Sequence, residues 1–328
     1  MTMIQRIVAA GTVLLASATL ATASGSALGS EGAPQLKVRP AEHFSAALHV
    51  KILGATLAGK RIVAVGDHGV VLLSDDNGNT FRQASNVPVS STLTAVTFAD
   101  PHRGWAVGHW GAIIRTTDGG ENWTLQRSDT KVDQPLFSVY FTNSSEGWAV
   151  GLWSLLLHTT DGGTTWSKLV VSPPGTKKLD RNLYSIFGDR HGNLFIACEQ
   201  GSVARSTDSG RTWTFIDTGY TGSFWTGLAL QDGTLLVAGL RGTVYRSTDG
   251  GNTWIQSKTT FRSSVTDMVQ MPDMSVVAVG LDGVSSFSKD EGVSFTGKQR
   301  TDRVALTAVV DGRDGRTVFF SANGPTHP

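Results

Sequence analysis

Only one cysteine, Cys198, occurs in 328 residues. No intramolecular disulfide can form, so a continuous core must hold the fold together. Lying inside "LFIACEQG", Cys198 reads as a small buried hydrophobe, far from where a lipoprotein's acylated cysteine would follow its signal. Charge is sparse too: 17% of residues are charged and the net charge is +1. Without a basic tract there is no electrostatic footprint for nucleic acid, and none is expected as a partner. Beyond the N-terminus no run of about 18 apolar residues appears, which excludes a later membrane-spanning helix. The product is at most peripheral to a membrane.

The N-terminus carries the one long apolar stretch. Arg6 precedes "IVAAGTVLLASATLATA" (residues 7–23), which is short, rich in small residues, and ends in an A-x-A site. Residues 1–23 are therefore expected to be a signal peptide cleaved after 23, or after 27 at the second small-residue site. Residues 24–328 are expected to form a single exported domain.

Glycine is abundant, at 38 residues, and much of it recurs in one phrase. "SDDNGNTF", "TTDGGENW", "TTDGGTTW", "STDSGRTW", "STDGGNTW" and "SKDEGVSF" carry Asp76, Asp118, Asp161, Asp208, Asp249 and Asp290. These aspartates are 42, 43, 47, 41 and 41 residues apart in the sequence, the length of a four-stranded propeller blade. A second phrase precedes each: "VAVGDHG", "WAVGHWG", "WAVGLWS", "FIACEQG", "LVAGLRG" and "VAVGLDG", with a seventh copy, "FFSANG", near the end. Short alternating runs such as "LTAVTF" and "LFSVYF" stand before these. In the second unit this predicts strands at 93–98, 104–107, 112–116 and from Trp123. The fold class is all-β, a seven-bladed β-propeller. The last unit shows only two strands, so "QLKVRP" (35–40) and "HFSAALHV" (43–50) are expected to complete it and hide its edges.

An acid beside paired glycines could bind metal, catalyse, or turn the chain. "DDNGN" resembles a calcium loop, but the distal glutamate and flanking helices are missing. A catalytic acid would not be copied into six blades. A turn explains every position: Asp accepts backbone N–H groups, Ser or Thr adds a hydroxyl, Gly supplies positive φ, and the ring begins the outer strand. The six aspartates are structural, and no cofactor or metal is implied.

This phrase is the Asp-box, or bacterial neuraminidase repeat. The fuller unit, "LTAVTFADPHRGWAVGHWGAIIRTTDGGENW" (93–123), resembles the photosystem II assembly and stability factor family. The resemblance extends from about residue 50 to 324. It implies a seven-bladed propeller assisting assembly or stability of a membrane complex, with relatives outside photosynthetic organisms. It leaves a periplasmic location, or the thylakoid lumen in a photosynthetic source. WD40 is disfavoured, since none of the nine tryptophans precedes an aspartate.

Asp-boxes also occur in sialidases, so a carbohydrate-active or carbohydrate-binding propeller is the rival. Only four tyrosines exist, Tyr140, Tyr184, Tyr220 and Tyr245, and three fall within predicted strands. The F-R-I-P signature is absent, and paired carboxylates outside the turns are scarce. A non-enzymatic monomeric scaffold with a protein partner is expected. Its face opposite the Asp-boxes gathers His109, Trp110, Trp153, Arg181, Tyr220, Phe224 and Arg241 as candidate contacts, with Lys177 and Lys178 in the longest loop. A second candidate surface is the row Arg115, His158, Arg205 and Arg246, each three residues before an Asp-box aspartate.

Overall fold

A computed structural model describes residues 38–171 and 180–326. The expected signal peptide, residues 35–37 of "QLKVRP", and Lys177 and Lys178 lie outside the described residues.

Seven sheets form the seven blades. Their first strands are Ile52–Ala58, Leu93–Phe98, Leu136–Phe141, Leu183–Gly188, Phe224–Ala229, Val265–Gln270 and Leu306–Asp311. Each pairs antiparallel with the second strand of its own blade. Each also packs against the first strand of the next blade, and Leu306–Asp311 returns to Ile52–Ala58, closing the ring. The strands predicted in blade 2 are present as Leu93–Phe98, Gly104–Gly108, Ile113–Thr116 and Trp123–Arg127.

Period-two alternation here does not separate core from solvent. It sends successive side chains to the two neighbouring blades, because both faces of each sheet are covered. Trp105 and Val107 pack with Leu136 and Ala149 of blade 3, whereas Ala106 between them packs with Val63 and Leu73 of blade 1. Trp105 is fully buried and stacks on Phe141 with ring centroids 3.5 Å apart. The core is thus a set of inter-blade seams rather than one central mass. Cys198 lies in the seam between blades 3 and 4, and burial pushes its thiol up to about 12.

Blade 7 departs from expectation. Its third strand is Gly324–Thr326, from the same end of the chain, and not an N-terminal strand. Ser321 Oγ donates to the Gly324 carbonyl and accepts Asn323 N–H, closing a tight turn that the sequence pattern concealed. The segment expected as a second added strand instead forms a 3₁₀ turn at Ser45–His49. Its Ala and Leu residues favour helical backbone, and only Ala47 is buried, so no strand face exists to cover. The turn still serves closure: Ala47 packs in the seam of blades 7 and 1, beside Ile52, Ala308 and Phe320. Blade 6 has a fifth strand, Lys258–Thr259, running parallel to its outer strand.

Candidate partner-binding face

The Asp-boxes turn the chain from third to outer strand in six blades. In blade 4, Ser206 Oγ donates to Asp208 Oδ1 at 2.7 Å and accepts Gly210 N–H at 2.8 Å. Asp208 then accepts the Thr212 N–H at 2.9 Å and its hydroxyl at 2.6 Å. The same set recurs around Asp76, Asp161 and Asp249, with Asn122 and Ser294 replacing the threonine at Asp118 and Asp290. The Thr80, Thr212 and Thr253 hydroxyls, and the Thr165 backbone N–H, hold Asp76, Asp208, Asp249 and Asp161 at about 2. Against desolvation, hydrogen bonds from Asn122 and Ser294 lower Asp118 and Asp290 as well. Every one of these carboxylates is committed to its own turn. The ring ending the phrase is also tied down, as Trp123 and Trp213 donate to the Gly120 and Gly210 carbonyls.

The basic row lies at this same end and is largely occupied. Arg205 donates to Asn252, and Arg246 to the Glu291 carbonyl at 2.8 Å and its carboxylate at 3.2 Å. Both acceptors belong to the next blade's Asp-box turn. Arg61 of blade 1 reaches the Gly119 carbonyl in the same way. Arg115 lies over Trp105, and His158 stacks on Trp148 with centroids 4.9 Å apart. In the second candidate surface, Arg205 and Arg246 are therefore inter-blade clamps, while Arg115 and His158 pack on tryptophans of their own blades.

At the opposite end, the turns between second and third strands share one backbone. Their middle residues, His68, Trp110, Trp153, Gln200, Arg241 and Asp282, have φ between 53° and 60°. Left-handed backbone costs a non-glycine residue roughly 1 kcal/mol or more, so something must hold it. The loop entering the next blade does this in three blades. Trp110 N–H donates to Asp133 at 2.8 Å, Trp153 N–H to Asn182 at 3.1 Å, and Arg241 N–H to Ser264 at 3.1 Å. In blade 3 the following residue is Ser154, also left-handed at 55°, and it bonds to the Arg181 backbone. In blade 4 that place belongs to Gly201, whose missing Cβ would collide with the Tyr220 carbonyl.

The candidate contacts separate on this face. Trp153 is 48% exposed and Arg241 is exposed, whereas Trp110 and Arg181 are half-buried. His109 Nδ1 lies 3.2 Å from Asp133, and Tyr220 donates its hydroxyl to the Leu240 carbonyl. Phe224 is fully buried and is no surface contact. It takes the first inner-strand position, filled elsewhere by Ile52, Leu93, Leu136, Leu183, Val265 and Leu306, so the seam claims its ring.

A feature of this end escaped the sequence pattern. All seven inner strands carry a register shift after their first residue, leaving Leu53, Thr94, Phe137, Tyr184, Trp225, Thr266 and Thr307 out of the ladder. A bulge re-aims its side chain. These seven half-buried side chains ring the axis at the turn-tip end, and those of blades 3, 4 and 5 are aromatic. Phe137 and Tyr184 stack with centroids 5.6 Å apart.

The profile described as "Photosynthesis system II assembly factor YCF48" matches residues 83–256, more than half of the chain. The chain belongs to the YCF48 family. A solved structure of YCF48 bound to a D1 peptide superposes with a TM-score of 0.67 at 16% identity, covering 89% of this chain and 100% of that one. YCF48 from Cyanidioschyzon merolae gives 0.65 at 17% identity, covering 86% and 97%. A streptogramin B lyase gives 0.71 at 12% identity, covering 85% and 93%. At such identities these likenesses establish the shared propeller fold. No curated protein matches the sequence.

Proposed function

We propose that this chain is an exported, non-catalytic scaffold that captures a protein partner on its turn-tip face and assists assembly or stability of a membrane protein complex. The observation that carries this reading is the set of locked left-handed tips, which projects differing side chains, including Trp110 and exposed Trp153, from a rigid ring. Strained backbone held in place by its surroundings is characteristic of binding sites. Membership of the YCF48 family supports a protein partner, and its relative solved with a D1 peptide supports a polypeptide ligand. The Asp-box acids are spent on turns and the Cys198 thiol is buried, which argues against their use in chemistry. The protein acts as a monomer, in the periplasm or, in a photosynthetic source, the thylakoid lumen.

The test is affinity capture from detergent-solubilised membranes of the source organism. A membrane protein should be retained by the full chain and lost with Trp110→Ala plus Trp153→Ala. Unchanged capture by that double variant would remove this face from consideration. Since the lyase shows that an enzyme can use the fold, hydrolysis of a fluorogenic sialoside is assayed alongside, and turnover would overturn the non-catalytic reading.

A further inference from the structure

We infer that the axial part of the turn-tip face is a seat for an extended acidic and apolar peptide. An aromatic or aliphatic side chain packs against Phe137, Tyr184 and Trp225, and a neighbouring carboxylate meets Arg181 or Arg241. This rests on the proposal that the partner is a polypeptide, and adds where it binds and what it must contain.

The seven bulges give seven equivalent positions, yet large rings fill only three, all in adjacent blades. A structural requirement of the bulge would apply equally to the threonines and leucine at the other four. The rings are half-buried, which leaves apolar surface for a ligand. Trp153 extends the arc outward, because its N–H is bonded to Asn182, two residues before Tyr184.

Charge narrows the occupant. Among the described residues neither Arg181 nor Arg241 pairs with a carboxylate, and Arg181 Nε is buried without a hydrogen-bond partner. Arg181 lies instead over the Phe215 ring, 5.3 Å from its centroid. Glu199, one of the acids of this sector, accepts a hydrogen bond from Asn182 at 3.0 Å. Two arginines on the same turn-tip face as the aromatic arc suit a ligand with both a carboxylate and an apolar group. A sugar fits less well. At the bulges, Thr94 and Thr266 already donate their hydroxyl protons to strands of adjoining blades, which leaves fewer donors for a sugar.

The experiment selects from a phage-displayed random dodecapeptide library on the immobilised full chain, then measures enriched synthetic peptides by fluorescence anisotropy. Enriched sequences should place Asp or Glu close to Phe, Trp or Leu. Tyr184→Ala and Arg241→Gln should each weaken binding about tenfold, and Tyr184→Phe should retain it. Arg241 is exposed, so its variant separates lost binding from lost folding. Acid-free binders, or affinities unchanged in both variants, would overturn the seat. So would a glycan array giving binding that Tyr184→Ala abolishes. No enriched peptide, with membrane capture intact, sinks the seat and spares the scaffold; loss of capture as well sinks both.

Discussion

The two ends of this ring repeat in opposite ways. At the Asp-box end the side chains are copied: Ser or Thr, Asp and a hydroxyl or amide make the same hydrogen bonds in six blades. At the other end the backbone is copied and the side chains differ, with His, Trp, Trp, Gln, Arg and Asp on six left-handed tips. Copied side chains, satisfied within their own turn, do architectural work. Varied side chains on a strained backbone have no such shared task, and it is on them that the proposed recognition rests.

The sharpest way to break this comparison is acid. Carboxylates held near 2 instead of 3.8 stabilise the fold fully above the ordinary value, and that stabilisation disappears as pH falls from about 4 toward 2. With six turns acting together, near-UV circular dichroism should show cooperative loss of tertiary structure in that window. A ring still folded at pH 2 would deny the Asp-boxes their role. A smaller effect is expected from Ser206→Ala, which strands the buried Gly210 N–H; chemical denaturation should register a loss of about 1–3 kcal/mol. Least of all should Trp153→Gly affect stability. It relieves a left-handed tryptophan, so the folded state should change by no more than about 1 kcal/mol while membrane capture falls. Equal destabilisation by the last two variants would erase the distinction between the ends.

Much of the ring was legible because its signals are local and periodic. Aspartates at blade spacing and the turns of blade 2 needed only one chain to be read. Closure was not legible: Gly324–Thr326 is three residues long and has no Asp-box to announce it. Nor was Phe224, placed on the surface because its neighbours Tyr220 and Ser223 are loop residues, although its ring completes a seam. Tyr184 was the reverse case. It reads as an ordinary strand residue in "LYSIF", and only the bulge, which depends on pairing with Leu194–Cys198, turns it out of the ladder. The basic row kept its register, but Arg205 and Arg246 are engaged by partners 47 and 45 residues away in the next blade's turn.

Hydrogen–deuterium exchange on the full chain, alone and with the membrane protein it captures, tests the central claim most directly. Binding at the turn-tip end should protect residues 109–111, 152–154, 181–185, 223–226 and 240–242. Protection confined to the Asp-box turns around Asp118, Asp161, Asp208 and Asp249, with those segments unchanged, would place the partner on the wrong face and contradict it.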